Sequence, residues 1–280
     1  MNVRKNIGIV LVTYNPNLTD FERNLSQILL LNQEIMIIDN GSTKKVTSYL
    51  KEKARKNLNL NYKLLEDNKG IGFAQNEGIK FFISRSNIKY ILFLDQDSYI
   101  NSENLAKLEN ALSILIKKDT KNIMIGPKQD YEQNIVGVQE CDELISSGSL
   151  VSKVAFNAVG KLRSDFFIDY VDYEWCWRAK RLGYKIYKTS EVKMQHETTG
   201  VVRYHHHTVD PVFRLYYIFR NSTYLMLYER IPWKVKINIF IRNNGKFIFQ
   251  FFLKNKGIRI KTCVNGILDG VNQNLGRNKK

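Results

Sequence analysis

The chain has 280 residues, 44% of them hydrophobic and 25% charged, which excludes a disordered or fibrous protein and suits a globular one with a sizeable core. No apolar run reaches the roughly 18 residues a membrane-crossing helix needs, and the polar residues 1–6 lead straight into a strand pattern, with no room for a signal peptide. The net charge of +16 is uneven: residues 201–280 hold fifteen Lys or Arg against Asp210, Glu229 and Asp269, or +12 of the total, which points to an anionic partner.

Residues 7–12 (Ile-Gly-Ile-Val-Leu-Val) read as a strand buried on both faces, ending in Thr13-Tyr14-Asn15-Pro16. Asn17 to Asp20 opens a helix to about residue 31. A second strand over 35–38 ends in Asp39-Asn40-Gly41-Ser42, and a lysine-rich helix follows over 44–56. A third strand over 62–65 turns through Asn68-Lys69-Gly70-Ile71-Gly72 into a helix reaching about 84. A fourth, 90–94, stops on Asp95-Gln96-Asp97. Strand and helix alternate four times, which predicts an α/β fold with a parallel sheet flanked by helices. Ligands bind such sheets outside the carboxyl ends of the strands, so these four polar strand ends should line one crevice.

Beyond Asp97 the pattern predicts a helix over 102–117, a strand over 123–125 and an irregular hairpin over 129–139. Residues 144–152 alternate around small residues, Gly148 and Ser149 among them, which leaves room for a close approach to the backbone. A helix is expected over 171–182, stopped by Gly183, with Asp172 in its first turn and Glu174 and Arg178 paired four residues apart. Residues 192–197 read as a short strand carrying His196, and His205 to His207 as a solvated loop. From Pro211 the chain turns to aromatic, basic helices, so 1–210 and 211–280 are separable by composition. That second region is either an interfacial amphipathic segment or an ordinary helical cap. Cys141, Cys176 and Cys263 show no Cys-x-x-Cys spacing and read as reduced thiols of a cytosolic protein.

The chemistry sits at the strand ends. Asp95 and Asp97, pinned by an apolar strand, must face water or a cation, and hard oxygen ligands suit Mg²⁺ or Mn²⁺; the plainer alternative is that they cap the following loop. Gly70-x-Gly72 at a helix start favours an anion, or is simply a tight turn. A nicotinamide enzyme is disfavoured, because its glycine fingerprint belongs after the first strand, where this chain has Thr-Tyr-Asn-Pro. Asp169, Asp172 and Glu174 crowd one aromatic run, and crowded carboxylates raise one another's pKa, which suits a general base; Asp172 as a mere helix cap is the alternative.

Taken in order, Thr13-Tyr14-Asn15, Asp39-Asn40-Gly41-Ser42, Asn68-x-Gly70-x-Gly72-x-Ala74-x-Asn76, Asp95-Gln96-Asp97, Gly148-Ser149 and Asp172-x-Glu174 resemble the inverting glycosyltransferases of family 2, with the GT-A fold. The resemblance covers about residues 7–221. Leu-Asp-Gln-Asp-Ser and the run from Phe166 to Arg178 look like the bacterial rhamnosyltransferase branch, although Val171 stands where many relatives have an acid. The resemblance implies a nucleotide site at Thr13, Tyr14, Asn15, Asp39, Asn68, Gly70, Asp95 and Gln96. It implies a divalent metal, Mg²⁺ or Mn²⁺, held by Asp97 with help from His196, and Asp172 as the base. Gly148, Ser149, Glu174 and Arg178 would position the acceptor. The donor would be dTDP-β-L-rhamnose or another nucleotide sugar. The acceptor would be a lipid-linked saccharide for a cell-surface polysaccharide, reached by peripheral contact with an anionic membrane from the cytoplasmic side. Monomer and homodimer both fit this reading. A nucleotide-sugar-binding protein without transfer activity is a second reading, opposed by the intact Asp97 and Asp172. A nucleic-acid binder is a third, and would need stacking platforms along a groove.

Overall fold

A computed structural model of the chain describes residues 5–129, 132, 134–196, 203–205 and 207–278, without the side chains of residues 195, 196, 203 and 207. In chain order the elements are β1 (Ile7–Thr13), α1 (Leu18–Leu29), β2 (Glu34–Asp39), α2 (Lys44–Lys56), β3 (Leu60–Leu64), α3 (Ile71–Ile83), β4 (Tyr90–Asp95), β5 (Ser98–Tyr99), α4 (Ser102–Lys118) and β6 (Asn122–Pro127). There follow β7 (Val138–Cys141), β8 (Leu150–Ser152), α5 (Ala155–Val159), α6 (Val171–Arg181), β9 (Lys185–Thr189), β10 (Gln195–His196), β11 (Arg203–Tyr204), β12 (His207–Thr208), α7 (Val212–Tyr228), α8 (Trp233–Phe249) and α9 (Lys256–Val271).

All seven residues of β1 are buried, as its unbroken apolar run requires of a central parallel strand. Its side chains alternate between two cores. Ile7, Ile9 and Leu11 meet Phe21, Leu25, Leu50 and Leu108 from α1, α2 and α4. Val10 and Val12 meet Ile79, Phe82 and Trp175 from α3 and α6 on the other face. Side-chain caps open two of these helices: Asn17 accepts from the Thr19 and Asp20 amides, and Asn101 from the Asn104 amide.

The eight-stranded sheet runs β3-β2-β1-β4-β8-β6-β9-β7. Strands β3, β2, β1 and β4 are mutually parallel, β8 lies antiparallel between β4 and β6, β9 is parallel to β6, and β7 closes the edge antiparallel to β9. The mostly parallel α/β sheet expected from the sequence is therefore present. Three local expectations need correction. Lys-Ile-Tyr-Lys-Thr, β9, is a strand that its alternating lysines concealed. Among the described residues of the expected 129–139 hairpin, Val138 and its successors form a strand, on β9, and residues 130, 131 and 133 lie outside the described set. Of the expected strand 192–197, only Gln195 and His196 pair, with β5, and Glu197 lies outside the described residues. The room expected around 144–152 is filled by the protein itself: Gly148 N–H donates to the Phe93 carbonyl, and Phe93 N–H to the Ser149 carbonyl.

The basic region packs through α7, ten of whose residues are buried, onto the 163–170 segment, where Phe167 stacks on Tyr217 and Phe166 meets Tyr224. The α7–α9 contact is close because Gly266 and Gly270 carry no side chain; a Cβ there would stand 2.5 Å from the Tyr216 carbonyl and 2.6 Å from that of Arg220. Arg220 is wholly buried and donates to the carbonyls of Asp165, Phe166 and Gly276.

Candidate active site

The ends of β1, β2 and β4 and the loop after β3 open onto one cleft of about 610 Å³. Val12, Tyr14, Asn40, Asn68, Gly70, Asp95, Gln96 and Asp97 line it from the parallel half of the sheet, and Ser146, Asp169, Tyr170, Asp172, Tyr173 and Arg214 from across it. The Gln96 side chain ties two strand ends together, accepting from the Tyr14 amide at 2.8 Å and the Thr13 hydroxyl at 3.2 Å. Asn15 performs the same service between β1 and α2: its amide donates to Ser42 Oγ and its side chain accepts from the Thr43 amide. Asn40 and Asn68 lock the next loop, with Asn40 Nδ2 donating to Asn68 Oδ1, which also accepts from the Gly70 amide.

Asp39 is fully buried beneath this loop. Its Oδ1 accepts from the Ser42 amide at 2.9 Å, while Oδ2 has no hydrogen-bond partner among the described residues. A buried carboxylate oxygen left open is costly unless an N–H or O–H donor arrives.

Gly70 holds φ +88, and a Cβ there would lie 2.5 Å from the Phe167 carbonyl oxygen, which accepts from the Ile71 amide. The space expected for a ligand beside this glycine is thus occupied in part by the protein's own 163–170 segment. That segment is unusual: Phe167, Asp169 and Tyr170 all have positive φ near 65°, a costly state for residues with side chains. Asn221 of α7 holds it, its Nδ2 donating to the carbonyls of Phe166, Ile168 and Asp169 at 2.9–3.0 Å. Immediately after it, α6 begins and aims Asp172 into the cleft.

Asp172 accepts from the Ser146 amide at 3.2 Å through Oδ2 and from the Tyr173 amide at 3.0 Å through Oδ1. Burial pushes its carboxyl up to about 6 in spite of these donors. Burial, and then the charges of Asp97 and Asp172, push Asp95 up to about 7. Asp169 is also raised by burial and is opposed by its ion pair with Arg214. A site that crowds negative charge in this way fits a divalent cation, whose charge would reverse the effect. Among the described residues no three His, Cys, Asp or Glu side chains converge to hold a metal on their own, so a bound ion would complete its shell with water and substrate oxygens. Backbone pairing sets His196 opposite Ser98, next to Asp97, but its side chain lies outside the described set.

Four residues expected to position the acceptor do not line the cleft. Ser149 is fully buried and its hydroxyl donates to the Ile145 carbonyl. Gly148 packs on Met194. Glu174 is buried and forms a two-pronged pair with Arg178 at 2.8 Å, and Arg178 also donates to the carbonyls of Val159 and Lys161. This pair fastens α6 to the loop after α5. Their place on the cleft wall is taken by residues the motif reading passed over: Ser146, Gln75, whose amide donates to Ser146 Oγ at 2.9 Å, Tyr173 and Arg214. Asn221 was legible in principle, because Arg220-Asn221 interrupts an apolar helix, and a buried polar pair is the informative kind of residue.

Residues 8–121 match the sequence model of Glycosyl transferase family 2. The chain is 30% identical to the dTDP-rhamnosyl transferase RfbF of Shigella flexneri, over 96% of each chain. Among solved structures it is similar to S. aureus TarS in complex with UDP-GlcNAc, at 18% identity and TM-score 0.59, covering 95% of this chain and 80% of that one. It is also similar to the mannosyltransferase PcManGT from Pyrobaculum calidifontis in complex with GDP-Man and Mn²⁺, at 13% identity and TM-score 0.61, covering 97% and 76%. These two likenesses concern the fold, which is GT-A-like. The match to RfbF extends over nearly the whole chain, from the parallel strands through α6 and the C-terminal helices, far more than one shared module: the protein belongs to glycosyltransferase family 2 and is a glycosyltransferase that draws on a nucleotide-sugar donor.

Proposed function

We propose that the protein transfers L-rhamnose from dTDP-β-L-rhamnose to a hydroxyl of a lipid-linked saccharide, inverting the anomeric carbon, in the synthesis of a cell-surface polysaccharide. The observation that carries the transfer reading is the meeting of Asp95, Asp97 and Asp172 around one cleft at the strand ends. The 30% identity with RfbF supports rhamnose as the sugar.

The roles proposed are those the family resemblance implies. Asp39 Oδ2 accepts a hydrogen bond from the base, Tyr14 offers a ring to it, and Thr13, Asn15, Asn68 and Gly70 shape the loops around the nucleotide. Asp95 and Gln96 face the ribose. Asp97, with His196, holds Mg²⁺ or Mn²⁺, and that ion supplies positive charge to the diphosphate. Asp172 takes the proton from the acceptor hydroxyl as its oxygen attacks the anomeric carbon and the bond to the nucleoside diphosphate breaks. The acceptor approaches past the Asp169–Arg214 pair, where a second cavity of about 230 Å³, lined by Tyr170, Tyr173, Asp210, Arg242 and Lys246, adjoins the cleft. Residues 211–280 form the cap that walls this side, and the protein works as a peripheral enzyme at an anionic membrane surface.

The test is a panel of dTDP-, UDP- and GDP-sugars offered to the purified protein with Mn²⁺ or Mg²⁺, read by release of nucleoside diphosphate. Preferential turnover of dTDP-rhamnose is expected. Preferential turnover of another nucleotide sugar overturns the rhamnose assignment and leaves the glycosyltransferase standing.

A further inference from the structure

Helix α8 is apolar on both sides. Its inward side places Ile239 in the core, with Val235 and Phe247 packed against it, and is fixed by polar contacts: Asn243 donates to Ser222 Oγ at 2.6 Å, Lys236 to the Met226 carbonyl at 2.7 Å, Arg242 to the Tyr170 hydroxyl at 3.0 Å, and Lys246 pairs with Asp210. Its outward side carries Trp233, Ile237, Phe240, Ile241 and Ile248, each between 45% and 67% exposed. At 100° per residue these five fall on one stripe of the helix, and Phe251 and Phe252 are also exposed just beyond it. An ordinary surface helix is polar on its outer face. Large apolar side chains gathered on one exposed face mark a surface that something covers.

We propose that this stripe is a lipid-docking surface, by which α8 lies in the plane of an anionic bilayer with its apolar side sunk among the acyl chains. The inference deepens the peripheral-membrane part of the proposed function and rests on it, but not on the choice of donor. Charge decides the occupant. Residues 230–268 hold nine Lys or Arg and no acid, and Arg230, Lys234, Lys254 and Lys256 are exposed around the stripe. Anionic head groups complement that segment. A second copy would bring two such segments face to face across a two-fold axis, where like charges repel. Trp233 at one end and the two phenylalanines at the other suit the headgroup boundary. At 17 residues α8 is about 25 Å long, and no described helix is long and apolar enough to cross a membrane, so it would lie flat.

The experiment is flotation of the full chain with vesicles of phosphatidylcholine containing about one third phosphatidylglycerol, at low salt. Wild type should float. The triple variant Ile237→Ser, Phe240→Ser, Ile241→Ser should lose vesicle binding by at least about tenfold while melting like wild type and keeping its rate of donor hydrolysis. Brominated lipid gives an independent reading: it should quench Trp233, and the quenching should vanish in Trp233→Phe, because Trp175 and Trp177 are buried. Equal flotation of the triple variant, or no quenching in bound wild type, sinks the docking surface and leaves basic attraction to the membrane. Failure of wild type to float sinks the peripheral-membrane reading as well. A wild-type dimer that the triple variant splits, with no vesicle binding, assigns the stripe to a second copy.

Discussion

Asp172 is the residue on which turnover should depend most. It lines the cleft, carries two amide donors, and is held by burial near 6. Asp172→Asn should lower kcat by at least about a hundredfold with little change in donor affinity, the mark of a group needed only in the transition state. Glu174→Gln should do the reverse, costing about 2 kcal/mol of stability through its buried pair with Arg178 and sparing kcat. Steady-state kinetics beside thermal melts separate the two. A base works only when deprotonated, so kcat should fall as pH drops through about 6. Stability moves the other way. The native carboxyl binds its proton more tightly than the unfolded one, with its ordinary value of 3.8, so the cost of ionising it appears as pH rises through this window and is complete above about 6. Asp172→Asn should therefore melt no lower than wild type at pH 8, and its lost activity is not lost folding. Asp97 is half-buried just past the end of β4 and accepts from the Ser98 hydroxyl. Asp97→Ala should leave the melt unchanged and abolish Mn²⁺-dependent nucleotide binding in calorimetry; unchanged affinity with the metal present removes Asp97 from the metal site.

At the scale of elements, the run 163–170 matters more than its irregular appearance suggests. Three residues with positive φ persist there because Asn221, from a helix more than fifty positions away, holds the carbonyls of Phe166, Ile168 and Asp169 within and beside them. Asn221→Leu keeps the volume and removes the donors, which should cost about 3 kcal/mol in a denaturant melt and lower kcat by letting the start of α6 drift. Loss of neither makes the clamp dispensable. This clamp also shows where sequence reading stops. The strands β1 to β4 and their polar ends were legible because buried runs bounded by Asn, Asp and Gly have few other conformations. Helices α4 and α6 were legible within a residue or two of their ends. Strand β9 was not, since Lys185 to Thr189 alternates like an exposed segment. The acceptor-side wall was not either: Ser146, Gln75 and Arg214 converge from three distant segments, and no local pattern announces that. Glu174 and Arg178 were paired correctly from their spacing, which by itself could not tell a clamp on α6 from a contact to substrate.

For the whole molecule, the change of composition after residue 210 does not mark a loosely attached tail. Helix α7 is buried between the 163–170 segment and α9, Tyr216 OH donates to Asp269, and Tyr228 OH donates to the Val271 carbonyl. Ending the chain at Arg230 should therefore lower the melting temperature by more than about 10 °C, read by circular dichroism, because it strips α7 of its cover; an unshifted melt makes the cap an independent unit. The sheet itself has a seam. Every strand on one side of the β4–β8 pairing comes from residues 7–95, and every strand on the other from residues 122–189. The family match over 8–121 stops near the same division. Heredity can act on such a molecule in two parts: the first stretch of the gene encodes the strand ends on one wall of the cleft, and the second encodes Asp172 and much of the opposite wall. The two stretches stay coupled where they touch, since Gln75 donates to Ser146 and the Ile71 amide to the Phe167 carbonyl, so a change that reaches these contacts on one side of the cleft calls for an answering change on the other.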